Sequence, residues 1–132
     1  MLTDQEIYDR VCVHLFNQGQ RAYDSDASIY GTCMYRTKDG LKCAVGCLIE
    51  DDEYSKNFEG DNVRGILGKG TLSTFKNFSW ENVVILKSLQ ELHDNVASWT
   101  SELALRTALI EVGTEFNLDC SKVSGLSFNT VK

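Results

Sequence analysis

Apolar residues near the start of the chain recur every four positions, a spacing that puts them on one face of an α-helix. Thr3 and Glu6 match a capping box, in which each side chain hydrogen-bonds the backbone N–H of the other residue. Gly19 can take the left-handed conformation that commonly ends a helix. The pattern therefore predicts an N-terminal helix over 3–18. Its buried stripe would comprise Ile7, Val11 and Leu15, widened by Tyr8, Cys12 and Phe16.

A second periodic region fills the C-terminal part of the chain. Apolar residues recur every three or four positions over 83–116, with one short polar join between two segments. Ser79 can cap the first of the two helices, and Ser98 or Thr100 can cap the second. A join of that length favours an antiparallel pair. We therefore expect a C-terminal αα-hairpin over 80–117, packed on the N-terminal helix.

The centre of the chain carries short apolar runs without a clear period. Residues 33–36 suit a strand, and 37–40 form a turn signal in which Gly40 can take positive φ. With a return strand after the turn, this predicts a small β-hairpin near 33–43. The apolar segment that follows fits both a helix and a strand, and we favour a short buried helix over 43–50.

The remaining segments have weaker signals. Residues 23–31 are polar and without a period, which predicts a loop, whereas 61–68 indicate one or two helical turns ended by Gly68. From Asp119 onward the apolar anchors are sparse, so we expect a partly loose tail. The elements together predict a single domain over 1–132 of the mainly α (α+β) class.

Charge and composition narrow the possible functions. The chain has 19 acidic and 13 basic residues, so its formal charge is −6, and it repels phosphate unless basic residues cluster. They cluster only loosely between Arg64 and Lys76, which leaves a nucleotide or nucleic-acid binder as a third possibility. No apolar stretch approaches the roughly 20 residues that cross a bilayer. Five cysteines without an export signal indicate free thiols in a reducing cytoplasm.

Three of the five cysteines, Cys33, Cys43 and Cys47, fall in the central stretch, and His14 or His93 could complete a tetrahedral zinc site with them. The Cys43-x₃-Cys47 spacing is looser than the usual C-x₂-C knuckle. Cysteine is also one of the residue types most often buried. We therefore predict buried thiols with no metal and no cofactor, and keep the zinc site as the alternative. No local signature pairs a cysteine nucleophile with His14 or His93, so no catalytic residue is predicted.

The central stretch closes on four contiguous acidic residues at 50–53. An EF-hand loop would alternate its acidic positions, so contiguous carboxylates do not indicate calcium. Such a run is typical of the first turn of a helix, and it can also face a basic partner. We take the run and the preceding turn as the candidate partner-binding surface. Its residues are Glu50, Asp51, Asp52, Glu53, Tyr35, Arg36, Lys38 and Asp39.

The same stretch resembles a motif of small uncharacterised proteins of bacteriophages and prophages. In that motif Cys-x-Tyr-Arg is followed, after a turn, by Gly-Leu-Lys-Cys-Ala-Val-Gly and an aliphatic pair. Where those relatives tend to carry proline after the pair, this chain has Glu50. The resemblance implies a phage gene with no defined activity and carries over no catalytic residue. The matching positions are Cys33, Tyr35, Arg36, 40–46, Leu48 and Ile49, together with 59–60 and 89–94.

Small size, negative charge and the phage resemblance lead to one functional expectation. The chain would be a phage-encoded, non-enzymatic binding protein that inhibits a host protein through an acidic or mixed surface. The host protein would be a defence-system component, such as a nucleic-acid-binding effector, as for an anti-CRISPR protein, in the cytoplasm of an infected bacterium. Direct contact with nucleic acid or membrane is not expected. The alternative is a zinc-binding or cysteine-centred protein or enzyme that uses Cys33, Cys43 and Cys47.

Overall fold

A computed structural model of the chain describes residues 1–25, 32–70 and 75–128. Helices dominate it, as the hydrophobic pattern predicts, and their apolar faces meet in one core. The helices are α1 (Asp4–Gln18), α2 (Val63–Gly70), α3 (Val83–Asp94), α4 (Glu102–Glu115) and α5 (Ser121–Ser124), and the strands are β1 (Tyr23–Asp24) and β2 (Thr32–Cys33). Single 3₁₀ turns occupy Gly46–Leu48, Lys56–Phe58, Trp80–Asn82 and Val96–Trp99.

Helix α1 has the boundaries that its local signals predict. The Thr3 hydroxyl accepts from the Glu6 N–H over 3.1 Å, and the Glu6 carboxylate accepts from the Thr3 N–H over 2.9 Å, so the capping box is complete. Gly19 ends the helix with φ at 72°. The predicted stripe is buried against α3, α4 and α5. None of the described helices is both long and apolar enough to cross a membrane.

The C-terminal αα-hairpin is confirmed, but its second cap is not where we expected it. Ser79 caps the turn that leads into α3, whereas Ser101, rather than Ser98 or Thr100, caps α4 by accepting from the Ala104 N–H over 3.0 Å. The cap moves because the Val96–Trp99 turn lengthens the join. The Trp99 indole N–H holds that turn on the end of α3 through the His93 carbonyl, at 2.9 Å.

The predicted hairpin near 33–43 is present in a minimal form. Gly40 adopts φ of 88°, and an antiparallel bridge joins Arg36 to Lys42. Two backbone hydrogen bonds flank the bridge, from the Thr37 N–H to the Leu41 carbonyl over 2.9 Å and from the Cys43 N–H to the Tyr35 carbonyl over 3.2 Å. The pairing is shorter than expected, and strand β2 pairs with β1 rather than with the return segment. On its other side the return segment is bonded to α1, because the Lys42 N–H donates to Gln18 Oε1 over 2.8 Å and the Lys42 carbonyl accepts from His14 Nε2 over 2.8 Å.

The segment 43–49 is buried as predicted, apart from the partly buried Cys47, but only Gly46–Leu48 is helical, as one 3₁₀ turn, and Glu50 is exposed. The backbone at Gly46 packs directly against the backbone of Tyr35. A Cβ atom added at Gly46 would lie 2.0 Å from the Tyr35 carbonyl oxygen, so only glycine allows the two backbones to approach this closely.

The segments with weak signals depart from expectation in three places. Part of the predicted loop at 23–31 is strand β1, and 26–31 lie outside the described residues. Helix α2 continues past Gly68 to Gly70. The tail is anchored rather than loose as far as Phe128, whose ring centroid lies 5.7 Å from that of Phe16. Val123 of α5 is fully buried, which explains how a tail with few apolar residues still packs on α1 and α4.

Candidate functional site

The acidic run forms an exposed turn immediately after the buried Gly46–Leu48 segment. The Glu53 N–H donates to the Glu50 carbonyl over 2.9 Å, which closes one turn rather than opening a helix. The side chains of Asp51 and Asp52 are 89% and 71% exposed. We call residues 50–53 the acidic turn. Its carboxylates are presented to solvent on a rigid base, because the preceding segment belongs to the core.

The two middle residues of the acidic turn, Asp51 and Asp52, each contact a basic side chain. The guanidinium of Arg36 lies 2.8 Å from Asp51, and the ammonium of Lys76 lies 3.3 Å from Asp52. The hydrogen bond to Asp52 raises the pKa of Lys76, so this cation stays charged at neutral pH. Exposed ion pairs contribute little stability, and their role here is to orient the carboxylates.

The segment at Lys76 and Asn77 also clamps the two ends of the acidic turn. The Lys76 N–H donates to Glu53 over 2.7 Å, and the Asn77 amide donates to Glu50 over 2.9 Å and to the Leu48 carbonyl over 2.7 Å. All four carboxylates therefore have fixed partners within the chain. Three cations, Arg36, Lys42 and Lys76, lie beside the four carboxylates, so the surface keeps an excess of one negative charge.

Glu59 supports the candidate surface through hydrogen bonds to the residues that precede it. Its carboxylate accepts hydrogen bonds from the Tyr35 N–H at 2.9 Å, the Arg36 N–H at 3.1 Å and the Tyr54 hydroxyl at 2.6 Å. The Arg36 guanidinium lies 4.9 Å from the centre of the Tyr54 ring and also donates to the Ile49 carbonyl. Glu59 thereby sets the position from which Arg36 reaches Asp51.

The structure divides the residues predicted to bind a partner. Lys38 and Asp39 are exposed on the turn ended by Gly40, as expected. Tyr35 is buried instead: its hydroxyl donates to the Asp61 carbonyl over 2.6 Å, and burial raises its pKa. Arg36 is mostly buried, and its guanidinium orients the acidic turn by contacting Asp51. The exposed set consists of Glu50, Asp51, Asp52, Lys38 and Asp39.

The supporting roles of Lys76, Asn77 and Glu59 at this surface were not predicted from the sequence, although Lys76 and Glu59 were noted there for other reasons. Each makes hydrogen bonds to residues at least 23 positions away, apart from the contact between Glu59 and Tyr54. No local pattern marks such residues, because the contact depends on how distant elements pack.

Cys43 and Cys47 are structural thiols. The Cys43 sulfur accepts from the Gly46 N–H over 3.2 Å, and the Cys47 thiol donates to the Ala44 carbonyl over 3.1 Å. Burial raises the pKa of both thiols, that of Cys47 to about 12, so both are protonated at neutral pH. A thiol must lose its proton to bind zinc or to act as a nucleophile, and neither environment favours that loss.

Cys33 and His93 do come together, with Asp94 as their neighbour. The potential ligand atoms of these three residues lie within 4.8 Å of one another. In the part of the chain that the structure describes, Cys43 and Cys47 do not belong to this group, so the predicted alternative of a zinc site built from Cys33, Cys43, Cys47 and His93 is not assembled.

The hydrogen bonds of His93 argue against a metal at the smaller group as well. Its Nε2 accepts from the Ala22 N–H over 2.9 Å, so Nδ1 carries the proton and donates to Asp94 over 2.8 Å. A metal on Nδ1 would move that proton to Nε2, where it would face the buried Ala22 N–H. Metal-bound histidines normally donate from the second nitrogen to an acceptor, which is absent at this position of the described structure. Nε2 therefore ties α3 to Ala22, the residue before β1, while Nδ1 bonds the neighbouring Asp94 of α3.

His14 makes stability depend on pH. Its Nε2–H donates to the Lys42 carbonyl, and burial lowers the pKa of His14 from its usual 6.5. The unfolded chain thus binds the proton at higher pH, so the contribution of neutral His14 is complete above 6.5 and is lost as pH falls toward the folded-state pKa.

We therefore expect the free energy of unfolding to fall as the pH is lowered below about 6.5, by at most about 1.4 kcal/mol per pH unit for one proton. His14→Gln, whose amide can still donate to the Lys42 carbonyl, should show a smaller slope. Urea unfolding at a series of pH values measures both slopes. Identical slopes in the two proteins would show that His14 is not a source of the pH dependence.

No protein-family model, curated protein or solved structure matches this chain. The phage resemblance of the central motif is not tested by this outcome and stays a prediction. Functional inference consequently rests on the geometry of the described surface, above all on the acidic turn.

Proposed function

We propose that the chain is a phage-encoded, non-enzymatic binding protein that inhibits a host protein, a component of a defence system, in the manner of an anti-CRISPR protein. The observation that carries the proposal is the acidic turn, whose four carboxylates are held by Arg36, Lys76 and Asn77 while Asp51 and Asp52 stay largely exposed.

A preorganised acidic surface suits a protein partner with a basic surface. Side chains that are already ordered lose less conformational entropy on binding, so more of the interaction energy appears as affinity. Complementary charge adds fast association and selectivity. Nucleic-acid-binding effectors expose basic grooves, and we propose one as the partner, bound in the cytoplasm of the infected bacterium.

The proposal is tested with tagged protein in lysates of bacterial hosts that express their defence systems. We expect capture of one stoichiometric partner. The double variant Asp51→Lys and Asp52→Lys should weaken its binding by about tenfold or more, and higher salt should weaken binding of the unchanged protein.

A control with the same change in charge distinguishes an effect of the acidic turn from an effect of the protein's net charge. Glu111 and Glu115 are exposed on α4, and Glu111→Lys with Glu115→Lys alters the total charge equally. This control should retain most of the affinity. Equal losses in the two double variants would overturn the assignment of the surface, and capture of no partner from any lysate would overturn the proposed function.

A further inference from the structure

Two large apolar side chains are exposed where the chain enters α3. Trp80 is 51% exposed and Val84 is 59% exposed. Trp80 begins the 3₁₀ turn that runs directly into α3, and Val84 follows about one helical turn later, so the two side chains are neighbours on this surface. We call these two residues the Trp80 patch. Exposed apolar patches with a polar rim are typical of protein–protein interaction sites.

The backbone that carries the Trp80 patch is fixed, whereas the indole of Trp80 is open to a partner. The Asn82 side chain accepts from the Ser79 N–H over 3.1 Å and donates to the Asp4 carboxylate over 2.7 Å, which ties the turn to the start of α1. Within the described structure no hydrogen bond or ring contact holds the Trp80 indole, whereas the Trp99 indole is hydrogen-bonded to the end of α3. Tryptophan on such a base is a common anchor of protein interfaces.

The Trp80 patch lies close to the acidic turn. Asn77, whose amide donates to Glu50 over 2.9 Å, precedes Trp80 by three residues, which limits the distance between the Cα atoms of Asn77 and Trp80 to about 11 Å. The Asn77 carbonyl accepts from the Leu2 N–H over 3.0 Å, which places the exposed Met1 at the same edge. An interface of standard size takes about 20–30 residues from each protein, so one partner can cover both features.

The charges near the Trp80 patch favour a basic partner. Glu81 is exposed within the same turn, and the acidic turn adds its excess of negative charge. Lys76 is already paired with Asp52, and Lys87 lies about one turn farther along α3. A protein surface that presents an apolar side chain between arginine or lysine residues would match this arrangement in both shape of contact and sign of charge.

We infer that the Trp80 patch forms one interface with the acidic turn and takes an apolar side chain, flanked by arginine or lysine, on the surface of a protein partner. The apolar contact supplies affinity that exposed ion pairs do not, because each exposed pair contributes little. The inference rests on the proposed function for the identity of the partner, and it adds the chemistry that the partner must present.

Amide and indole chemical shifts of the full chain, labelled with ¹⁵N, test the inference with two synthetic peptides. One peptide has two leucines between pairs of arginines, and the other has serines in place of the leucines, so the two carry the same charge. The leucine peptide should cause a saturable shift of the Trp80 indole N–H and bind at least about fivefold more tightly than the serine peptide. Equal affinities, or an indole N–H that does not shift, would overturn the inference.

Substitutions in the Trp80 patch provide the second readout. Trp80→Ala should abolish the preference for the leucine peptide, and Val84→Ser should reduce it by at least about twofold, with the affinity for the serine peptide almost unchanged. Leu103→Ala is the control, because Leu103 is 67% exposed on α4, outside the patch, and this variant should keep the preference. A preference that survives in both patch variants would overturn the inference.

Two further outcomes are distinguished by the same samples. Shifts at 80–84 that depend on protein concentration alone, without peptide, would assign the Trp80 patch to a second copy of the chain and overturn the inference. The peptides need no host protein, so a failed capture from lysates bears on the proposed function, whereas loss of the leucine preference bears on the Trp80 patch.

Discussion

Replacing Gly46 by alanine is expected to destabilise the protein by about 3 kcal/mol or more, or to prevent folding. The new Cβ atom would lie 2.0 Å from the Tyr35 carbonyl oxygen and 2.8 Å from its carbonyl carbon. Both are backbone atoms in the core, so no side chain can rotate away to make room. Separating the two segments would also strain the bond from the Cys43 N–H to the Tyr35 carbonyl.

Gly68→Ala is the matched control for this prediction. Gly68 lies within α2, is exposed, and has no atom within 4 Å of an added Cβ. Alanine there should be neutral or stabilise by up to about 1 kcal/mol, since glycine is a poor helix former. Urea unfolding of both variants measures the difference. If Gly46→Ala proved as stable as Gly68→Ala, the close approach at Tyr35 would be wrong.

The second large effect is expected for Glu59→Gln, at about 2–4 kcal/mol of lost stability. The carboxylate accepts from two backbone N–H groups and one hydroxyl, and an amide would offer one oxygen where two are needed. Its NH₂ group would face a donor, leaving a half-buried polar group unsatisfied. The substitution hardly changes volume, so the lost stability reports the hydrogen bonds and the charge of Glu59 rather than packing.

Glu91→Gln makes the same chemical change at an exposed position of α3 and should alter stability by less than about 0.5 kcal/mol. Thermal and urea unfolding of the pair measure the difference. Glu59→Gln should also weaken capture of the partner, because Glu59 positions Arg36 and Arg36 orients Asp51. A stable Glu59→Gln protein would show that the Tyr35–Arg36 backbone is held by other contacts.

Several elements of this fold could be read directly from neighbouring residues. The capping box of Thr3 and Glu6, the stop at Gly19 and the turn at Gly40 are local, since each depends on atoms a few residues apart. The apolar periods of α3 and α4 are local as well. Errors arose where a cap or a strand had competing partners, as when Ser101 rather than Ser98 began α4.

Only part of the candidate site could be predicted from neighbouring residues. The acidic turn stood out as a run of like residues, but its clamps at Lys76 and Asn77 and its support at Glu59 did not. The burial of Tyr35 could not be predicted either, because its position in the motif does not indicate burial. The metal alternative depends on a distant contact as well, because the Ala22 N–H occupies the His93 nitrogen from which a metal-bound histidine would donate.

The order of residues alone was enough to predict the mainly α class, the boundaries of the first helix, the C-terminal hairpin and the position of the acidic residues. These follow from periodicity, capping and charge, which are properties of short segments. The packing of the folded chain was needed to learn which acidic residues have fixed partners and why position 46 requires glycine. Those features arise from contacts between distant segments, which the order of residues does not reveal without the packing.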